Sequence, residues 1–184
     1  MGIPSDVLKE IETAAKREYL PIIGPDKAAA IAKLIEERRP CLVVEIGVMV
    51  GYATIAVASS LGEGCSISGI EISGDLARRA KENVFRAGVA SKVKIIQGDA
   101  REVLAQMKGP VDTLIMDAER SQYFNYLRKI EGKLSPGALV VAVGTANPEG
   151  RIAEYLDYVR KNDRYETTTM VFADDAMEVS TFKG

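Results

Sequence analysis

The stretch Leu42-Val43-Val44-Glu45-Ile46-Gly47-Val48-Met49-Val50-Gly51 constrains this chain more than any other. Apolar residues fill four of its first five positions, the pattern of a strand buried on both faces. A glycine turn follows, and Tyr52 to Leu61 runs on as a helix-compatible apolar stretch. Strand, glycine turn and helix together open a doubly wound α/β sheet, an arrangement that cradles nucleotide-like ligands. Gly47 and Gly51 let backbone approach a ligand closely, while the helix start offers unpaired N–H groups and a positive dipole end. Glu45 narrows the choice of ligand. A carboxylate at the mouth of the strand repels a pyrophosphate but suits an ammonium or a sulfonium, and the Gly-x-Gly-x-x-Gly pattern is absent.

At 184 residues the chain is expected to form one domain, 1–184, with a sizeable core. No run approaches the roughly 18 apolar residues of a membrane span, and the N-terminus lacks the charged and apolar regions of a signal peptide. The expected location is therefore cytoplasmic, without membrane association. Cys41 and Cys65 each stand at the start of a predicted strand without paired spacing, so each is expected to be a buried free thiol without zinc or redox work. The formal net charge of −2, from 24 basic and 26 acidic residues, gives no electrostatic case for nucleic acid. The chain contains no histidine. That excludes a histidine general base, a histidine metal ligand and any Ser-His or Cys-His nucleophile.

Along the chain, Ser5 is placed to cap a first helix whose stripe is Val7, Ile11 and Ala14 or Ala15. Pro25 suits the first position of a second helix, with Ala28, Ile31, Ala32 and Ile35 on its buried face. The second strand is Cys65 to Glu71, and Ser73 caps a helix lined by Leu76, Ala80, Val84 and Ala87 and closed by Gly88. Strands at Val93 to Gln97 and Val111 to Met116 lead into Gly98-Asp99-Ala100 and Asp117-Ala118-Glu119-Arg120. A helix presenting Phe124, Leu127 and Leu134 precedes the Pro136-Gly137 turn and a strand from Ala138 to Val143. Asn147-Pro148 starts a helix with Ile152, Tyr155, Leu156 and Val159 on one face. Tyr165 to Phe172 and Met177 to Phe182 read as a closing hairpin. The sum is an α/β sheet, parallel except at one edge.

The segments Val43-Val44-Glu45-Ile46-Gly47, Gly51-Tyr52, Gly98-Asp99-Ala100, Asp117-Ala118, Arg164-Tyr165-Glu166-Thr167 and Glu178-Val179-Ser180 resemble the class I S-adenosylmethionine-dependent methyltransferases. The resemblance is closest to the catechol and caffeoyl-CoA O-methyltransferase-like branch, and runs from about Ile22 onward. It implies a doubly wound, mostly parallel seven-stranded sheet with its seventh strand antiparallel, and S-adenosylmethionine lying across the carboxyl ends of the first strands. By that likeness Glu45 and the loop Gly47, Val48 to Gly51 hold the methionine part. Glu71 accepts hydrogen bonds from the ribose hydroxyls, and Ile72 packs on the adenine. Gly98, Asp99 and Ala100 meet the polar edge of the adenine, and Asp117 stands beside the sulfonium. Asp99-x-x-Glu102 is also a helix capping box, a role compatible with adenine contact. Tyr123, Tyr126 and Tyr155 read as packing or surface residues of their helices.

The departures from that branch are as informative. Metal-dependent members place Asp-Asn after strand five, where this chain has Val143-Gly144. The motif after strand four there reads Asp-Ala-Asp-Lys, with the lysine assisting deprotonation of the acceptor; here it is Asp117-Ala118-Glu119-Arg120. Arginine stays protonated, so it can neutralise an oxyanion but cannot act as a base. The expectation is a methyltransferase acting on a small-molecule acceptor without a metal, with Asp117 and Glu119 the candidate catalytic carboxylates. A catalytically inactive S-adenosylmethionine-binding protein with a regulatory or assembly role is the alternative. The acceptor and oligomeric state stay open, a homodimer being the assembly that the resemblance suggests.

Overall fold

The computed structural model describes residues 3–147 and 149–184, the side chain of Arg151 excepted. Seven strands form one sheet: β1 (Leu42–Ile46), β2 (Ser66–Glu71), β3 (Val93–Gln97), β4 (Val111–Met116), β5 (Leu134–Val143), β6 (Tyr165–Val171) and β7 (Ala176–Phe182). Their order is β3-β2-β1-β4-β5-β7-β6. The first five are parallel, and β7 lies antiparallel between β5 and β6. This is the expected sheet, with the hairpin at its edge.

Alternation along the strands feeds two cores. Val43, Ile67, Ile115 and Val141 point to the face covered by α1 (Pro4–Glu18), α2 (Pro25–Arg38), α3 (Tyr52–Ser60) and α4 (Gly74–Arg86). Val44, Ile46, Leu114, Met116 and Val140 point to the opposite face, under α5 (Ala100–Gln106), α6 (Tyr123–Ile130) and α7 (Ala153–Lys161). Each such side chain, fully buried, contributes roughly 1.5–3 kcal/mol. With helices on both faces, all five parallel strands end on the same rim. That rim is where a doubly wound sheet opens a crevice.

Several local expectations are corrected. The N-cap of α1 is Ile3, with Pro4 in the first turn, so Ser5 lies inside the helix; Val7, Ile11 and Ala15 form its buried stripe. Ala77 joins Ala80 and Val84 as the buried residues of α4, while Leu76 is half-buried. Strand β5 begins at Leu134, which is therefore not a helix residue. Pro136 and Gly137 sit exposed within β5, where the register jumps from Val111↔Leu134 to Thr113↔Leu139. Pro148 lies outside the described residues, and α7 begins after a 3-10 turn at Gly150–Ile152. The two cysteines are free but not buried: Cys41 is exposed and Cys65 half-buried. Each stands one residue before its strand, at the rim of the sheet, outside the layer that the helices cover. No described helix is long and apolar enough to cross a membrane.

Candidate active site

The carboxyl ends of β1, β2, β3 and β4 surround a cavity of about 460 Å3. Glu45, Gly47 and Val48 line it from β1, Glu71 and Ile72 from β2, Gly98, Asp99 and Ala100 from β3, and Asp117, Ala118 and Glu119 from β4. The structure thus brings together all but one of the candidate residues. The exception is Gly51, which is not part of the lining. Its φ is +86°, and a Cβ there would meet Ala80 of α4 at 3.4 Å, so its part is to turn the chain into α3 under a tight helix contact.

Gly47 is also more structural than its motif suggests. At φ +89° a Cβ would come within 2.0 Å of the Asp117 carbonyl oxygen. The loop after β1 and the loop after β4 therefore touch backbone to backbone, a packing that only glycine permits. Glycine here keeps two strand ends together rather than simply leaving room for a ligand.

Glu45 is 1% exposed, and its Oε2 accepts a hydrogen bond from Thr54 Oγ1 of α3 at 2.5 Å. Burial pushes its carboxyl up to about 8, against the opposing hydrogen bond from Thr54; Asp117 and Glu71 push it further up by like-charge repulsion. Glu71 is held from two sides. Met49 N–H donates to its Oε2 at 2.8 Å and Ser73 N–H to its Oε1 at 2.9 Å. Met49 takes a left-handed φ of +52° to make that contact. Each carboxylate oxygen keeps a second lone-pair direction for an outside donor. Ile72 beside it is 72% exposed, an apolar platform at the cavity edge.

Asp99 is the N-cap of α5, accepting from Arg101 N–H at 2.8 Å. The capping partner is thus Arg101, and its guanidinium also binds the carboxylate. Those bonds hold Asp99 at about 2. Asp117 is half-buried, and burial pushes it up to about 6, with Lys27 and Arg120 pulling down and Asp175 pushing up. Glu119 is exposed and caps a 3-10 turn by accepting from Ser121 N–H at 3.3 Å. Geometry therefore favours Asp117 over Glu119 as a proton acceptor.

Beyond Asp117 lie groups that the motifs did not reveal. Lys27 of α2 pairs with Asp175 of the β6–β7 hairpin at 3.0 Å. The Tyr123 hydroxyl donates to the Val143 carbonyl at 3.0 Å and accepts from Ala118 N–H at 3.3 Å, stitching the β4 and β5 ends together. Tyr123 and Tyr155 are packing residues, 5.9 Å apart edge to face, whereas Tyr126 lines the cavity. Pro21, Ile22 and Ile23 form its opposite wall. Only tertiary packing brings these together, so spacing carried no signal for them. Where the metal-dependent branch has oxygen ligands, Val143 packs into the core and Gly144 has no side chain. Among the described residues no group of three or more acidic or cysteine side chains could hold a metal ion. The donor set does not fit a divalent cation, which needs several converging oxygens.

The O-methyltransferase family model matches residues 4–183. The catechol O-methyltransferase of Mus musculus is 30% identical over 175 residues, covering 91% of this chain and 65% of that one, so the chain spans a little under two thirds of that relative. Catechol O-methyltransferase B of Danio rerio is 26% identical over 197 residues, covering all of this chain and 74% of the relative. Among solved structures, the O-methyltransferase from Bacillus cereus in complex with SAH superposes with a TM-score of 0.88 at 20% identity, over 97% of this chain and 91% of that one, a likeness of fold. With its family model matched almost end to end, the chain belongs to the O-methyltransferase family.

Proposed function

We propose that this chain transfers the methyl group of S-adenosylmethionine to an oxygen of a small-molecule acceptor, without a divalent metal. The observation that carries the reading is the convergence of Glu45, Glu71 and Asp117 on one cavity at the ends of β1, β2 and β4. Three acidic side chains there, Glu45 being ionised by an ammonium beside it, suit a ligand bearing an ammonium, a sulfonium and a ribose diol, and disfavour a pyrophosphate. A nicotinamide dinucleotide is disfavoured on the same ground.

When bound, S-adenosylmethionine supplies an activated methyl, whose bond to sulfur breaks as the acceptor oxygen bonds the carbon, the electron pair staying on sulfur. The residues of the chain then act chiefly by position. Glu45, held by Thr54, faces the ammonium; Glu71, held by Met49 and Ser73, accepts from the ribose; Ile72 and Tyr126 flank the adenine beside Gly98, Asp99 and Ala100. Asp117 stands where it can take the acceptor's proton, being ionised above about pH 6. Alignment of this kind can supply roughly 7–11 kcal/mol of acceleration. The relatives named above are methyltransferases by name, and no feature of the site favours the catalytically inactive reading.

Titration calorimetry with S-adenosylhomocysteine (SAH), and competition by NAD, test the reading. SAH is expected to bind with one-to-one stoichiometry and NAD to leave that binding unchanged. Displacement of SAH by NAD, or no SAH binding, would refute it.

A further inference from the structure

The seat left by the missing metal ligands is filled. A Cβ on Gly144 would meet Arg120 Nε at 2.4 Å, Cζ at 2.7 Å and Nη2 at 2.7 Å, so the guanidinium lies directly against the Gly144 backbone. An asparagine or aspartate side chain at 144 and the arginine at 120 could not share that space. The loop carrying Arg120 is held there by Tyr123, which bonds to Ala118 and Val143. Arg120 is exposed and its side chain has no ion pair or hydrogen bond with the described residues, although Asp117 feels its charge. Asp117, Ala118, Glu119 and Gln122, on either side of it in the chain, line the cavity. Arg120 itself is not part of the lining; its guanidinium lies beside this stretch of the wall, with its donors unspent among the described residues.

A buried structural arginine is normally saturated by carboxylates or carbonyls. An arginine packed on a glycine beside a ligand cavity, with no partner among the described residues, is instead disposed to receive an anion, and its planar fork matches two oxygens at once. By the resemblance, its positive charge lies against the position where the metal-dependent branch carries a metal-ligating side chain. We propose that Arg120, lodged against Gly144, replaces the metal as the cationic anchor of the acceptor, and that the acceptor accordingly carries an ionised oxygen, carboxylate or phenolate, next to the oxygen that is methylated. The inference rests on the methyltransferase reading above. Arg120 is a specificity-determining residue in this account. Lys27 does not compete for the role, because Asp175 neutralises it at 3.0 Å.

The test uses paired probes on the full chain saturated with SAH: salicylate against salicylamide for the carboxylate, and 4-nitrocatechol against catechol for the phenolate. At least one anionic member should bind roughly tenfold or more tightly than its neutral partner. Arg120→Gln should erase that preference and Arg120→Lys restore part of it, with SAH affinity unchanged in both. Gly144→Asn, which puts a side chain into the seat, should copy Arg120→Gln. Which pair responds tells a carboxylate from a phenolate. The proposal is overturned if SAH binds but no anionic probe is preferred, or if the preference survives Arg120→Gln. Failure of wild-type protein to bind SAH would instead remove the methyltransferase reading, and this inference with it.

Discussion

The ends of β1 and β2 and the ends of β4 and β5 form two halves of one site, built on opposite principles. In the first half, every acidic side chain is clamped: Glu45 by Thr54, Glu71 by the backbone of Met49 and Ser73. In the second, Asp117 is only half-buried and the Arg120 side chain lies on a glycine with no hydrogen-bond partner among the described residues. Clamped carboxylates suit a ligand that never changes. A loosely committed cation facing an open rim suits a half in which the partner has changed, because one substitution there alters what is recognised without disturbing the fold.

Gly47 belongs to the seam between the halves, and replacing it should have the largest effect. Valine at 47 would drive a side chain into the Asp117 carbonyl, only 2.0 Å from the Cβ position. The Tm should fall by roughly 10 °C or more, on the order of 4 kcal/mol, as read by thermal denaturation. A stable Gly47→Val protein that merely fails to bind SAH would show that the glycine serves the ligand alone. Glu71→Ala comes next. It removes the acceptor for two backbone N–H groups as well as for the ribose, and charge-assisted bonds are worth roughly 1.5–3 kcal/mol each. SAH affinity should drop by at least about tenfold in calorimetry, and equal affinity would take Glu71 out of the site.

The clamped half should also show itself in pH dependence. Glu45 sits at about 8 in the folded protein against 4.5 for an ordinary glutamate. Between those values the folded chain holds a proton that the unfolded chain has lost, so this carboxyl makes the ligand-free protein less stable as pH rises from 4.5 through about 8. An ammonium beside Glu45 favours its ionised form, so SAH binding should expel a proton and strengthen from pH 6 to 8. Calorimetry in buffers of differing ionisation enthalpy reads that proton directly; affinity independent of pH would place the ammonium elsewhere. A smaller change should follow Thr54→Val. Loss of its hydrogen bond, about 1 kcal/mol, raises Glu45 further and shifts the pH profile of binding upward. An unmoved profile would mean that Thr54 does not tune Glu45.

What could be read from the chain divides along the same line. The placement of Glu45, Glu71, Asp99 and Asp117 was legible because each stands within two residues of a strand end, and strand ends follow from local hydrophobic pattern. The seat of Arg120 on Gly144, the Lys27–Asp175 pair and the stitch from Tyr123 to Val143 join segments far apart in sequence. Their meeting depends on how helices settle on the sheet, which no local pattern encodes. The same limit explains the cysteines. Their place at the start of predicted strands led to an expectation of burial, but each falls one residue outside its strand. Ser5 misled for the opposite reason: a good capping residue was available, yet Pro4 set the helix start two residues earlier.

Chelation tests the contrast between the halves most directly. SAH release from S-adenosylmethionine should be followed with the anionic probe that binds best, before and after exhaustive treatment with EDTA. With Arg120 rather than a metal facing the acceptor, the rate should be the same in both, and added magnesium should not raise it. A rate lost on chelation and restored by magnesium would contradict the account, because the second half of the site would then hold a cation other than its arginine.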